Sequence, residues 1–233
     1  MGDSVLAQAL TMILILDRDL MEIIGLSLRV TLTAVVIACA IGLPFGAFLA
    51  ITRFPGRGTI VLLLSALMGL PPVVAGLLVF FLVSATGPLA WLELLYTPTA
   101  MIIAQCVLVT PIVAALSRQV IEDLNAEYAD LFASLNLKRW PQARALLWDA
   151  RFSLVTVALA GFGRASAEVG AVIIVGGNIN HVSRMMTTAI TLETSRGNLE
   201  LALALGVVLL IIALAVNAAV MGLRSTAARS AYG

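Results

Sequence analysis

Charge is scarce in this chain. Asp, Glu, Lys and Arg make up 12% of its 233 residues, about half the share usual in a soluble domain. Histidine occurs once, cysteine twice, and aromatic residues account for 6%. Each scarcity excludes something. A net charge of +1 supplies no basic surface for nucleic acid. Cys39 and Cys106 both sit inside apolar runs and read as small packing residues, not as a disulfide scaffold. The one histidine, His181, lies in a polar stretch and reads as a solvated loop residue, so no metal site is expected. No GxxxxGK[ST] phosphate loop, GxSxG or HExxH stretch occurs, and no Ser/His/Asp or Cys/His set can be assembled. The chain is therefore expected to hydrolyse no ATP, to catalyse nothing else and to bind no cofactor of its own.

What is abundant is apolar side chain. The hydrophobic fraction is 61% and the mean hydropathy +1.06, more than a soluble fold of this size could bury. A membrane helix needs about 20 apolar residues. Runs at 24–51, 60–84, 99–116, 152–175 and 201–223 meet or approach that length and predict five spans. The apolar stretch 4–16 is too short to cross and is followed by Asp17-Arg18-Asp19, so segment 1–22 is expected to lie in the membrane interface. Residues 23–223 would form the membrane domain, and 224–233 a tail. Lys and Arg set the orientation. Nine fall in 52–59, 117–151 and the tail, against three on the other side. That predicts an external N-terminus and a cytoplasmic C-terminus, with Trp91 and Tyr96 at the outer interface.

Two spans carry irregularities. Pro71-Pro72 interrupts the second, removing two backbone donors. Inside a bilayer such a break survives only where protein or water satisfies the freed carbonyls, so it reads as a pore-lining kink or a packing kink. Thr110-Pro111 is a milder break and reads as packing. The fourth span holds Arg164 and Glu168, which on one continuous helix would share a face and could pair. The small residues Gly161, Gly163, Ala165, Ala167 and Gly170 let another backbone approach. This face reads as a pore or subunit-interface element, or as a self-neutralised structural pair.

Segment 117–151 is the long polar stretch. Leu124, Tyr128, Leu131, Phe132 and Leu135 follow a helical apolar stripe. Asn136, which tolerates left-handed backbone, predicts a break. A second helix is expected from Trp140-Pro141, with the stripe Ala143, Leu146, Leu147 and Ala150. Helix, break, Lys138-Arg139, helix is a docking shape, or else a hairpin lying on the membrane surface.

These spans, the Pro-Pro break and this segment resemble the permease subunit of a type I ABC importer, whose cytoplasmic motif has the form E-A-A-x-x-x-G followed by I-x-L-P. One register places Glu127-Tyr128-Ala129 on the motif with Ala133 at the glycine. The preferred one places Asp130-Leu131-Phe132 there, with Asn136 at the glycine and Leu146 at the isoleucine; Asp149 stands where the motif has its proline. The stretches 161–179 and 184–198 are similar to the molybdate, sulfate and tungstate importers, most of all the tungstate type. The resemblance implies an all-α, MetI-like permease fold of five transmembrane helices in the cell inner membrane. It implies a homodimer, two separate ATPase subunits that consume the ATP, and an external oxyanion-binding protein meeting segments such as 177–200. The ATPase-coupling residues would be Glu127, Asp130, Ala133, Asn136, Lys138 and Arg139. Pro71, Pro72, Arg164 and Glu168 would serve the pore or helix interfaces. Molybdate or sulfate is the alternative cargo. An ion-coupled secondary transporter is the alternative class, although such folds usually carry an inverted repeat and none is visible here.

Overall fold

A computed structural model describes the backbone of residues 18–232 and the side chains of residues 18–222. The expected interfacial helix at 4–16 lies outside the described residues. Among those described, all regular structure is helical: α1 (Arg18–Ile51), α2 (Arg57–Met68), α3 (Pro72–Val83), α4 (Pro98–Glu127), α5 (Ala129–Ser134), α6 (Arg139–Asp149), α7 (Arg151–Ser166), α8 (Gly170–Gly176), α9 (Met186–Arg196) and α10 (Leu199–Tyr232), with a 3-10 turn at Ala90–Leu92. Among the described residues three helices are long and apolar enough to cross a membrane, α1, α4 and α10 up to Gly222; the count rises to five if the bent pairs α2–α3 and α6–α7 are each one span. The five expected spans sit at that upper bound.

The helices overrun the apolar runs. α1 starts at Arg18, where Asp19 in the first turn complements the helix dipole. α4 continues beyond residue 116 to Glu127, and Pro111 does not end it. α10 passes through the polar stretch to Tyr232 because nothing after Gly222 breaks it. At Pro71-Pro72 there is no kinked helix but a stop and a restart. Gly69 ends α2, Pro71 is extended, and Pro72 takes the first position of α3, where its missing N–H goes unused.

The contacts divide the chain into two compact units. One comprises residues 34–70 and 106–165. Its core joins Ala47, Ala50, Ile121, Phe132, Leu146, Ala150 and Leu154. α1 and α4 approach backbone to backbone: a Cβ at Gly46 would overlap Ser117 Oγ and the Ala114 carbonyl. The Ser117 hydroxyl donates to the Gly42 carbonyl, 3.3 Å away.

The other unit contains residues 18–33, 71–105 and the chain from 166 onward. α3 packs on α8, and α9 on α10. A Cβ at Gly76 would lie 2.6 Å from Ala171 Cα. Leu20, Ile23, Met186, Ala189, Leu205 and Val208 form the core beside α9. Ser27 ties the N-terminal helix to this core, donating to the Ile23 carbonyl at 2.7 Å and accepting the Met186 N–H at 2.7 Å. Phe81, Leu210, Leu214 and Met221 remain exposed on α3 and α10. A helix apolar on its outer face suits a hydrocarbon surround.

Candidate functional site

The residues singled out from the sequence fall in three places. The first is the hairpin of 117–151. α4 ends at Glu127, and Tyr128 breaks the helix before α5 begins. The expected stripe therefore divides. Leu124, Tyr128 and Phe132 pack into the chain's own core, and the Tyr128 hydroxyl donates to Asp149 Oδ2 at 2.8 Å. Leu131 and Leu135 are 51% and 58% exposed. Of the first stripe only these two are left to meet a partner. The correction has a plain cause: half of an amphipathic stripe is used in building the hairpin.

The break comes where Asn136 predicts it. Its φ is 46°, in the left-handed region. Its N–H donates to the Ala133 carbonyl and the Leu137 N–H to the Phe132 carbonyl, each at 3.2 Å. That pair of bonds is a Schellman cap with Asn136 in the position usually held by glycine. Ala133 lies inside α5, so of the two positions expected to stand for glycine only Asn136 has left-handed backbone. Asp130 occupies the first turn of α5. Lys138 and Arg139 open α6 and are exposed. Of the second stripe, Leu146 and Ala150 are buried and Leu147 packs against them, while Ala143 is half-buried and borders the open side of α6. At the root of the hairpin, Glu122 accepts from both Arg57 and Arg118, and Arg57 Nε donates to the Leu49 carbonyl at 2.7 Å. Sequence reading missed this triad because Arg57 lies 65 residues from Glu122; Arg118 and Glu122, at i and i+4, were the legible part.

The second place is Arg164 and Glu168. α7 stops at Ser166, so the expected common helix face does not exist. Arg164 sits in the last turn of α7, whereas Glu168 lies in the break before α8. Glu168 is buried. Its Oε1 accepts the Ala171 N–H at 3.0 Å, and its carbonyl accepts the Thr187 hydroxyl at 2.8 Å. A carboxylate there satisfies a donor that the helix start leaves unpaired. The small residues act separately. Gly161 faces Val109 and Val113, Gly170 faces Val73, and Gly163 faces nothing within 4 Å.

The third is the segment from Gly176 to α9. Gly177, Asn178 and His181 have positive φ. Ser183 bonds the Gly176 carbonyl and accepts the Ile179 N–H at 3.0 Å. Tyr96 seats its ring on Gly177, where a Cβ would come within 2.7 Å. His181 is exposed, as a loop residue should be, and its Nδ1 lies 2.8 Å from Glu22 Oε2. Trp91, expected at an interface, is 76% exposed.

Three long apolar helices, two bent helix pairs of similarly apolar composition and a polar helical hairpin after α4 define a multi-pass helical membrane protein. No protein-family model matches the chain. Curated relatives do. It is 38% identical over 204 residues to a probable anion ABC transporter permease protein of Haloferax volcanii, covering 85% of this chain and 88% of that one. It is 37% identical over 216 residues to the tungstate uptake system permease protein TupB of Peptoclostridium acidaminophilum, covering 93% and 95%. The sulfate transport system permease protein CysW of Synechocystis is more distant, 28% identical over 86% of this chain and 74% of its own. The chain belongs to the permease proteins of ABC transporters.

Proposed function

We propose that this chain is the permease subunit of an ATP-driven importer that carries tungstate across the cytoplasmic membrane. The observation that supports this most is the near end-to-end match to a tungstate uptake permease, 93% of this chain against 95% of the relative. In this reading two copies of the chain enclose the path. A separate ATPase docks on each α5–Asn136–α6 hairpin and consumes the ATP; this chain holds no cofactor. An extracytoplasmic binding protein delivers the anion to the side bearing residues 177–200. ATP binding and release then shift the permease between outward- and inward-open states. A dianion needs hydrogen-bond donors and little fixed negative charge along its way. The fourth apolar run has a single acid, Glu168, and its carboxylate is engaged at the start of α8.

The test is tungstate accumulation in cells lacking this gene, complemented by the chain with its ATPase and binding protein. Uptake at submicromolar tungstate should return with the gene, and excess tungstate should compete better than excess molybdate or sulfate. Sulfate is the second cargo to examine, because sulfate permeases are also relatives. Equal tungstate uptake with and without the gene, in cells with no second system, would refute the assignment. Orientation is read separately. Reporter fusions after Arg57 should be cytoplasmic and fusions at Asn180 external; the reverse pattern would invert the topology.

A further inference from the structure

α6 carries a face that the coupling hairpin does not use. Trp140, Arg144 and Trp148 are spaced i, i+4, i+8 and so lie along one side of the helix. Both indoles stand out from the protein, 81% and 71% exposed. The opposite side holds Leu146, fully buried in the core of its unit. Pro141, Ala145 and Leu147 complete an open apolar shelf of about 740 Å³ between the two rings. Basic groups flank it: Arg144 in the middle and Arg151 just beyond the end of α6. Arg151 fixes Trp148. Its guanidinium lies 4.7 Å from that ring centre and 4.5 Å from that of Phe152, and Nη1 donates to the Trp148 carbonyl at 2.6 Å. The exposed indole is therefore held in place.

The geometry supplies the partner. α6 runs into α7 with a bend of 70°. If α7 crosses the bilayer, as the membrane reading requires, α6 lies close to the membrane plane at the level where the headgroups begin. Tryptophan prefers that level, because its ring is apolar and its N–H is polar. Lys and Arg beside it attract anionic headgroups.

We propose that the Trp140–Arg144–Trp148 face of α6 is a binding surface for anionic phospholipid headgroups. It gives the coupling segment a lipid-dependent anchor. The bilayer thereby holds α6 while α5 and Asn136 meet the ATPase.

The assembled transporter, ATPase included, is reconstituted in nanodiscs whose brominated lipid is either phosphatidylglycerol or phosphatidylcholine, with bromines near the headgroup end of the chains. Tryptophan quenching is compared between the wild type and a W140F/W148F variant, which isolates the two indoles from Trp91. Brominated phosphatidylglycerol should quench the Trp140/Trp148 component, about twofold more than brominated phosphatidylcholine. Arg144→Glu should abolish that preference, leaving the two lipids about equal, because it replaces a cation beside the anionic surface by an anion. Equal quenching in the wild type and W140F/W148F would overturn the proposal. So would quenching seen in the permease alone but lost on adding the ATPase, which would assign the face to that subunit. Equal quenching by both lipids in the wild type would overturn it too, because the surface would then show no preference for anionic headgroups. A normal quenching pattern in a transporter that carries another oxyanion would leave the proposal standing and refute only the cargo.

Discussion

Asn136→Val is expected to lower ATP-driven tungstate uptake by about tenfold while the amount of chain in the membrane stays near wild type. Asn136 holds φ at 46°, and a left-handed backbone costs an ordinary residue roughly 1–2 kcal/mol, with a β-branched one at the upper end or beyond. Valine would push the chain out of that conformation. The two bonds that close α5, Asn136 N–H to Ala133 and Leu137 N–H to Phe132, would then be lost. The tip would redirect Leu131, Leu135 and Asp130, which are exposed. Phe132 would stay anchored in the core, so the chain should still fold. Asn136→Gly is the control: glycine adopts the same backbone freely and should keep transport. Asp130→Lys should also lower uptake and the yield of co-purified ATPase, by reversing a charge at the rim of the contact. A hairpin that merely rests on the membrane would tolerate both changes. Normal uptake and normal ATPase recovery in Asn136→Val and Asp130→Lys would therefore end the coupling assignment.

A second large effect is expected at Gly76. A Cβ there would meet Ala171 Cα at 2.6 Å and its carbonyl oxygen at 3.0 Å. These are backbone atoms of α8 and cannot move aside as a side-chain tip could. Overpacking typically costs about 1–3 kcal/mol, and a fixed backbone neighbour puts this site at or above the upper end. Gly76→Leu should force α3 and α8 apart, and the chain recovered from membranes should fall about tenfold or more. Gly163→Ala is the matched comparison. Nothing lies within 4 Å of its Cβ, and alanine in a helix is favoured over glycine by about 1 kcal/mol. Its recovery should equal or exceed wild type. If Gly76→Leu is recovered as well as Gly163→Ala, the close α3–α8 contact is not present in the membrane.

Much of this molecule was legible from local chemistry. Long apolar runs admit few environments besides a bilayer, so class and candidate spans follow from composition. Pro71-Pro72 removes donors wherever it stands, and Asn136 is among the few non-glycine residues at ease with positive φ; both breaks fell where those residues lie. The hairpin of 117–151 was legible for the same reason, as two amphipathic stripes about a turn at Asn136, whereas the break at Tyr128 was not. Other features depended on partners far along the chain. Nothing near Leu131 and Phe132 says which one the core will take; packing against Ile121, Leu146 and Leu154 decides that for Phe132. Arg164 and Glu168 have the spacing of a helical pair, yet the helix stops between them. The break holds because Glu168 accepts from Ala171 and Thr187, nineteen residues on, donates to its carbonyl. The triad of Arg57, Arg118 and Glu122 likewise needs two helices folded together. Sequence alone determined what each segment prefers, because those preferences reside in single residues and short periods. Tertiary structure decided which polar groups are satisfied and which apolar faces remain free, because both depend on neighbours that only folding brings into contact.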